Sequence, residues 1–154
     1  MRRYERSEHR WWNKPLVRYD NRHLPAELVV LAESLDRGED GAWLNSRGTE
    51  TGVSGLEQIT PERFKTLRTV LPRFVQECLV SLYDHPKVLK GVYDLVVWRE
   101  ADEQVRFIEV KNPHWDQPTP EQLYFADVAA GRGIRTEVIE WEFVDADEVG
   151  SQRT

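Results

Sequence analysis

The sequence contains one cysteine, Cys78, one methionine, and no apolar run longer than a handful of residues. A lone cysteine excludes an internal disulfide and any zinc site built on cysteines, and it suits a reducing, intracellular setting, so a cytoplasmic location is the expectation. Without an apolar stretch of about 20 residues, no membrane span is expected. The arginines near the N-terminus are not followed by an apolar segment, so no secretory signal is expected there. Basic residues are not in excess either: 21 Lys and Arg stand against 27 Asp and Glu, a formal net charge of −6. That balance argues against indiscriminate coating of nucleic acid, and any surface for DNA has to be local.

What is present suits a folded domain. With 154 residues, 40% hydrophobic and 31% charged, the chain fits a single globular unit with a real core. The most informative stretch is the pair GVYDLVVW (Gly91–Trp98) and VRFIEVK (Val105–Lys111), each rich in β-branched and aromatic residues and each read as a short strand. The six residues between them can form a hairpin loop. Pairing Trp98 with Val105 in antiparallel register puts Asp94 opposite Glu109, and strand alternation puts Lys111 on the same face. Like charges facing each other in a sheet are destabilising. Two carboxylates whose face also carries Val96, Trp98, Val105 and Phe107 therefore call for positive charge, either a bound cation or the Lys111 ammonium.

Residues 1–23 read as a basic, aromatic arm. Seven Arg or Lys (Arg2, Arg3, Arg6, Arg10, Lys14, Arg18, Arg22) outnumber three acids, and Tyr4, Trp11, Trp12 and Tyr19 interleave with them. This combination serves phosphate contact and base stacking, and it equally suits aromatics packed on the domain with solvated arginines. His9 and His23 have no metal-ligand spacing and read as surface histidines. Residues 24–36 read as a helix with Pro25 in its first turn. Residues 37–58, with five glycines, read as a long loop. A helix is expected from Thr60 to about Leu82, with Phe64, Leu67, Leu71, Phe74, Cys78 and Leu82 on one face and a kink or break at Pro72. Thr119-Pro120-Glu121-Gln122 opens another helix running to about Gly131, in which Thr119 and Gln122 have the spacing of a capping box. Thr136–Trp141 reads as a closing strand, and an acidic stretch follows from Glu142.

The order Asp, about fifteen residues, then Glu-x-Lys resembles the PD-(D/E)xK nuclease superfamily, with Asp94 and Glu109-Val110-Lys111 in the motif positions. The longer run is similar to its VRR-NUC branch of virus-type replication-repair nucleases. The matching features are Gly91, Asp94 to Trp98, Glu109 to Lys111, Pro113, Asp116, Gln122, and Gly133 ahead of Glu137-Val138. Tyr93 stands where that family usually has Pro, Asn112 where it has Gly, and Gln117 where Arg is common. The segment from Lys111 to Gln122 is also one residue longer than usual. All three charged motif positions are intact, so these departures bear on loop shape and substrate fit more than on metal chemistry.

The resemblance implies an α/β fold with a restriction-endonuclease-like core, a small mixed sheet flanked by helices. It divides the chain into the arm at 1–23, a nuclease domain at 24–144 and an acidic, polar tail at 145–154. It implies Asp94, Glu109, Lys111 and Gln122 as catalytic residues, although the capping reading of Gln122 needs no ligand. Hard oxygen donors suit Mg²⁺ or Mn²⁺. The metal ligands would be Asp94, Glu109, the Val110 carbonyl and one acid on an upstream helix, with Glu27 preferred over Glu33 and Glu77. Arg10, Trp12 and Lys14 on the arm, and Asn112, His114 and Trp115 after Lys111, are the candidate DNA contacts. The implied function is divalent-metal-dependent hydrolysis of DNA, on branched or repair-intermediate substrates and in DNA repair, with no small-molecule cofactor. A homodimer, with two sites acting on two strands, is compatible with such substrates. The alternatives are an inactive nucleic-acid-binding or assembly module that keeps the fold, and a related phosphoesterase acting on RNA.

Overall fold

The computed structural model describes residues 1–11, 14–47, 50–59, 69–85 and 87–144. Among these, eight strands form one mixed sheet: β1 (Arg2–Trp11), β2 (Lys14–Tyr19), β3 (Arg22–Leu24), β4 (Asp40–Arg47), β5 (Glu50–Ser54), β6 (Leu95–Arg99), β7 (Gln104–Lys111) and β8 (Arg135–Val144). Their spatial order is β3-β2-β1-β8-β7-β6-β4-β5. Three α-helices flank the sheet: α1 (Ala26–Asp36), α2 (Arg73–Tyr83) and α3 (Pro120–Gly131). The protein thus has the expected α/β architecture of a mixed sheet with helices. Among the described residues, no helix is long and apolar enough to cross a membrane.

The central hairpin has the register that alternation predicts, with Trp98 opposite Val105 and Leu95 opposite Ile108. Both of its faces are covered, which is why β6 reads as an unbroken apolar run. Leu95, Val97, Ile108 and Val110 pack with Leu28 and Leu31 of α1. Val96, Trp98 and Phe107 turn the other way and pack with Val75, Leu79 and Leu82 of α2 and Phe125 and Ala129 of α3. α3 carries the chain from β7 back to β8, which lies parallel to β7 with Glu109 beside Val138.

Several expectations change in the folded chain. The arm is strand: β1 runs parallel to the end of β8, and β2 and β3 follow antiparallel. The apolar positions Tyr4, Leu16 and Val17 are buried, and no strand alternation marks them among the surrounding charges. The segment read as a long loop contains the β4–β5 hairpin, in which Ala42, Trp43 and Leu44 are buried and β4 pairs with β6. Its glycines hid the pattern. One of them, Gly41, allows close packing, because a Cβ there would lie 2.7 Å from Leu31 of α1 and 3.2 Å from the Val96 carbonyl oxygen.

Pro25 and Pro72 stand as N-caps rather than inside α1 and α2, since neither can donate a helix bond. With α2 beginning after Pro72, its buried stripe is Val75, Leu79 and Leu82, and Phe74 and Cys78 are only partly covered. The expected helix before it, with Phe64 and Leu67, lies outside the described residues, as does the tail at 145–154. β8 continues to Val144 instead of ending at Trp141, because Glu142 to Val144 pair with β1.

A short 3₁₀ turn, Val88–Gly91, delivers the chain to Asp94 and lies directly on the first turn of α3. A Cβ on Gly91 would fall 2.1 Å from the carbonyl oxygen of Glu121 and 2.7 Å from the backbone nitrogen of Gln122. Backbone atoms cannot yield as a flexible side chain can, so Gly91→Ala is expected to destabilise the protein by about 1–3 kcal/mol, an overpacking cost measurable by urea denaturation. An unchanged midpoint would mean that the turn and α3 separate freely.

Candidate active site

The end of the hairpin where β6 begins and β7 finishes is the most charged part of the interior. Glu109 and Lys111 are 4% and 5% exposed, and Asp94, immediately before β6, is half-buried. The two carboxylates extend the strand ladder with side-chain bonds. The Asp94 N–H donates to Glu109 Oε1 at 3.0 Å, and the Val110 N–H donates to Asp94 Oδ2 at 3.0 Å. The other Glu109 oxygen, Oε2, accepts from Lys111 Nζ at 2.9 Å and from Gln122 Nε2 at 2.6 Å. Lys111 Nζ also reaches Asp116 Oδ1 at 3.2 Å.

The two readings of Gln122 use different ends of its amide. Its Oε1 accepts from the Thr119 N–H at 3.1 Å, while Thr119 Oγ1 accepts from the Gln122 N–H at 3.1 Å, closing the capping box. Its Nε2 remains for Glu109. The helix start and the carboxylate are therefore held by one side chain.

Glu27, in the first turn of α1, lines the same cavity of about 190 Å³ as Asp94, Glu109 and Val110. Glu27 forms an ion pair with Lys14 of β2, which also lines this cavity. Glu33, by contrast, accepts from Tyr4 Oη at 2.6 Å and pairs with Arg2, tying α1 to β1. Glu77 is exposed on α2 and pairs with Arg73 at 3.3 Å.

The candidate DNA contacts divide. Asn112 and Trp115 line the cavity with Lys14. Asn112 is 2% exposed; its Oδ1 accepts from the His114 N–H at 3.0 Å, while its Nδ2 has no partner among the described residues. Trp115 is 60% exposed and meets Trp141 edge-on, with ring centroids 5.8 Å apart. His114 lies on the surface, 3.4 Å from Glu142, and Arg10 is exposed on β1 outside the cavity lining. Trp12 lies outside the described residues. Asp116 is one of the positions that carry the family resemblance, although the resemblance did not assign it a site role, and here it reaches the Lys111 ammonium. The Trp115 and Asp116 N–H groups donate to the Asn112 carbonyl at 3.2 and 2.9 Å, and this turn brings Asp116 back to the lysine.

Burial, and then the charges of Glu109 and Glu27, push the Asp94 carboxyl well above its usual range, with the Val110 N–H pulling against them. Burial alone would lower Lys111, but its hydrogen bond and charge pairing with Glu109, aided by Asp116, more than compensate and raise it. For Lys14 the burial penalty is likewise overcome, mainly by Glu27 and in part by Asp94. Three carboxylates thus crowd one cavity, and burial and the charges of its two neighbours both oppose ionisation of Asp94. All are oxygen donors, as is the Val110 backbone, and this set suits a hard divalent cation.

Residues 26–141 match the family model described as the VRR-NUC domain. The chain belongs to the VRR-NUC domain family. The match begins with α1 and ends within β8, so β1 to β3 lie outside it. No curated protein matches the chain. Among solved structures, a crystal structure of paFAN1 bound to 5′-flap DNA with a gap is similar, with a TM-score of 0.39 and 19% identity over 54% of this chain. The aligned part spans 18% of that longer chain.

Because the Asp94 pKa lies above its ordinary 3.8, the folded VRR-NUC domain holds this proton more tightly than the unfolded chain. Stability from this group is present below about pH 4 and is lost as pH rises through the elevated pKa. Asp94→Asn removes the charge and keeps an acceptor for the Val110 N–H. The substitution is expected to raise the melting temperature of the metal-free protein at pH 7 and to flatten its decline above pH 4. Thermal denaturation across that range checks this, and a lower melting temperature in the variant would show that the folded protein already balances the Asp94 charge.

Proposed function

We propose that this protein is a divalent-metal-dependent nuclease that hydrolyses phosphodiester bonds in DNA, with branched or repair-intermediate DNA as its substrate. The observation that carries this reading is the convergence of Glu27, Asp94, Glu109 and the Val110 backbone on one cavity, with the Lys111 ammonium against Glu109. Family membership supports nuclease chemistry. The choice of branched DNA rests on the resemblance of the sequence to replication-repair nucleases.

Glu27, Asp94, Glu109 and the Val110 carbonyl would hold Mg²⁺ or Mn²⁺. When bound, such an ion lowers the pKa of a coordinated water and acts as a Lewis acid on a phosphate oxygen. Lys111, buried and held from two sides by Glu109 and Asp116, offers a positioned positive charge where phosphate charge develops. It needs little reorganisation at the moment of reaction. Gln122 fixes the Glu109 carboxylate from the helix side. The unpaired Asn112 Nδ2 is a donor already stripped of water, suited to a non-bridging phosphate oxygen. Lys14, paired with Glu27, supplies a second ammonium at the cavity, and exposed Trp115 offers a face for a nucleotide base. A place in DNA repair, a reducing cytoplasmic setting and a homodimer with one site per strand accompany this reading.

The test is cleavage of labelled single-stranded, duplex, flap and four-way-junction DNA in Mg²⁺, Mn²⁺ or EDTA, comparing wild type with Asp94→Ala and Lys111→Ala. Metal-dependent cutting is expected, with flap or junction preferred. Asp94→Ala should abolish it, and Lys111→Ala should lower the rate by roughly 10²–10³-fold, the scale for losing one charge-stabilising group. DNA binding without cutting by wild type would instead favour a silent binding module. Cutting that survives both substitutions would place the chemistry elsewhere. Lys14→Ala should weaken DNA binding across all sequences and reduce the slope of log affinity against log salt by about 1.

A further inference from the structure

A second cluster of ligating side chains lies on the N-terminal strands, outside both the acidic cavity and the family match. His9 of β1 and His23 of β3 are far apart in sequence, but their rings meet edge-on with centroids 4.5 Å apart. Glu8 joins them: its Oε1 lies 3.5 Å from His9 Nε2, and one ligand atom from each of the three residues falls within 4.8 Å of the others. Adjacent residues on a regular strand point to opposite faces, so Glu8 and His9 could not ordinarily share a ligand. Here the β1–β2 register shifts between Arg6 and Arg10, and such a bulge re-aims side chains.

The cluster is also braced from behind. Ser7 is buried, and its Oγ accepts from the His9 N–H at 2.9 Å and lies 2.6 Å from His23 Nδ1. In the tautomer that donates its Nδ1–H to the serine, His23 keeps the lone pair on Nε2 for a metal. A partner on the second ring nitrogen is the usual support of a metal-ligating histidine. Arg18 pairs with the other oxygen of Glu8 and also lies 3.8 Å from Glu5.

We propose that Glu8, His9 and His23 form a second metal site, selective for a borderline transition-metal ion such as Zn²⁺ over Mg²⁺. Two imidazoles and one carboxylate are a recurrent three-ligand set for zinc, with a further position left to water, whereas Mg²⁺ prefers oxygen donors. Bound there, the ion staples β1 to β3 across β2 and so fastens the strands that carry Lys14 to the cavity. The proposal does not depend on nuclease activity.

The experiment uses full-length chain stripped of metal, with Asp94→Asn and Glu109→Gln combined to disable the carboxylate cavity. Zn²⁺ is titrated by calorimetry in excess Mg²⁺, and Co²⁺ serves as a visible-absorption probe of nitrogen ligation. One Zn²⁺ per chain is expected, together with a rise in melting temperature. His9→Gln or His23→Gln should abolish both, while Ser7→Ala weakens binding by roughly 10–100-fold. His9 is exposed, so its replacement tests the site without disturbing the core. Absence of Zn²⁺ binding to the cavity-disabled protein, or binding that both histidine substitutions leave unchanged, would overturn the proposal.

Discussion

Two carboxylates facing each other at the end of a sheet repel, and here Glu109 is buried and Asp94 half-buried, so water screens them poorly. Asp94 and Glu109 meet this constraint by each accepting the backbone N–H of the other's strand, at 3.0 Å in both cases. Hydrogen bonds to ionised acceptors are stronger than neutral ones, but they do not cancel the charge. The remainder falls on Lys111 and Gln122, which share the second oxygen of Glu109. A buried ion pair of this kind is a weak source of stability, since desolvation consumes much of its attraction.

Much of the surrounding architecture serves that pair. Gly91 allows the turn before Asp94 to lie on the backbone of α3, and α3 in turn presents Gln122 to Glu109. From the other side, α1 is buried along most of its length against the sheet, and Glu27 in its first turn lines the same cavity. The added strands β1 to β3 bring Lys14 onto Glu27, so a residue outside the family match contributes charge to a cavity lined mostly by residues within it. Positive charge reaches the carboxylates from β7 and β2, two elements with unrelated positions in sequence. This arrangement lines the cavity with charged side chains while the layers on both sides of the sheet stay apolar.

The hairpin register, the shared face of Asp94, Glu109 and Lys111, and the start of α3 were all legible in the sequence. Each depends on a short-range rule: side chains alternate with period two along a strand, and a capping box spans four residues. The strands at either end of the sheet were not legible. In β1 and β2 the exposed positions carry so much charge that the buried Tyr4, Leu16 and Val17 are outvoted, and in β4 the glycines suggest a loop. Pairing with β8 and β6 supplies the backbone hydrogen bonds that local propensity did not predict.

Which upstream acid faces Asp94 was a tertiary decision. Glu27 and Glu33 lie on the same helix, and helical spacing alone allows either; the docking of β1 ties Glu33 to Arg2 and Tyr4 and leaves Glu27 at the cavity. The meeting of His9 with His23 is of the same kind, produced by a bulge and a strand return that no residue spacing encodes. The sequence by itself determined the charged motif, the strand pair that carries it and the capped helix that follows, because those are written in neighbouring residues. Only the tertiary structure decided which distant side chains join them, because that depends on how separately formed surfaces bury one another.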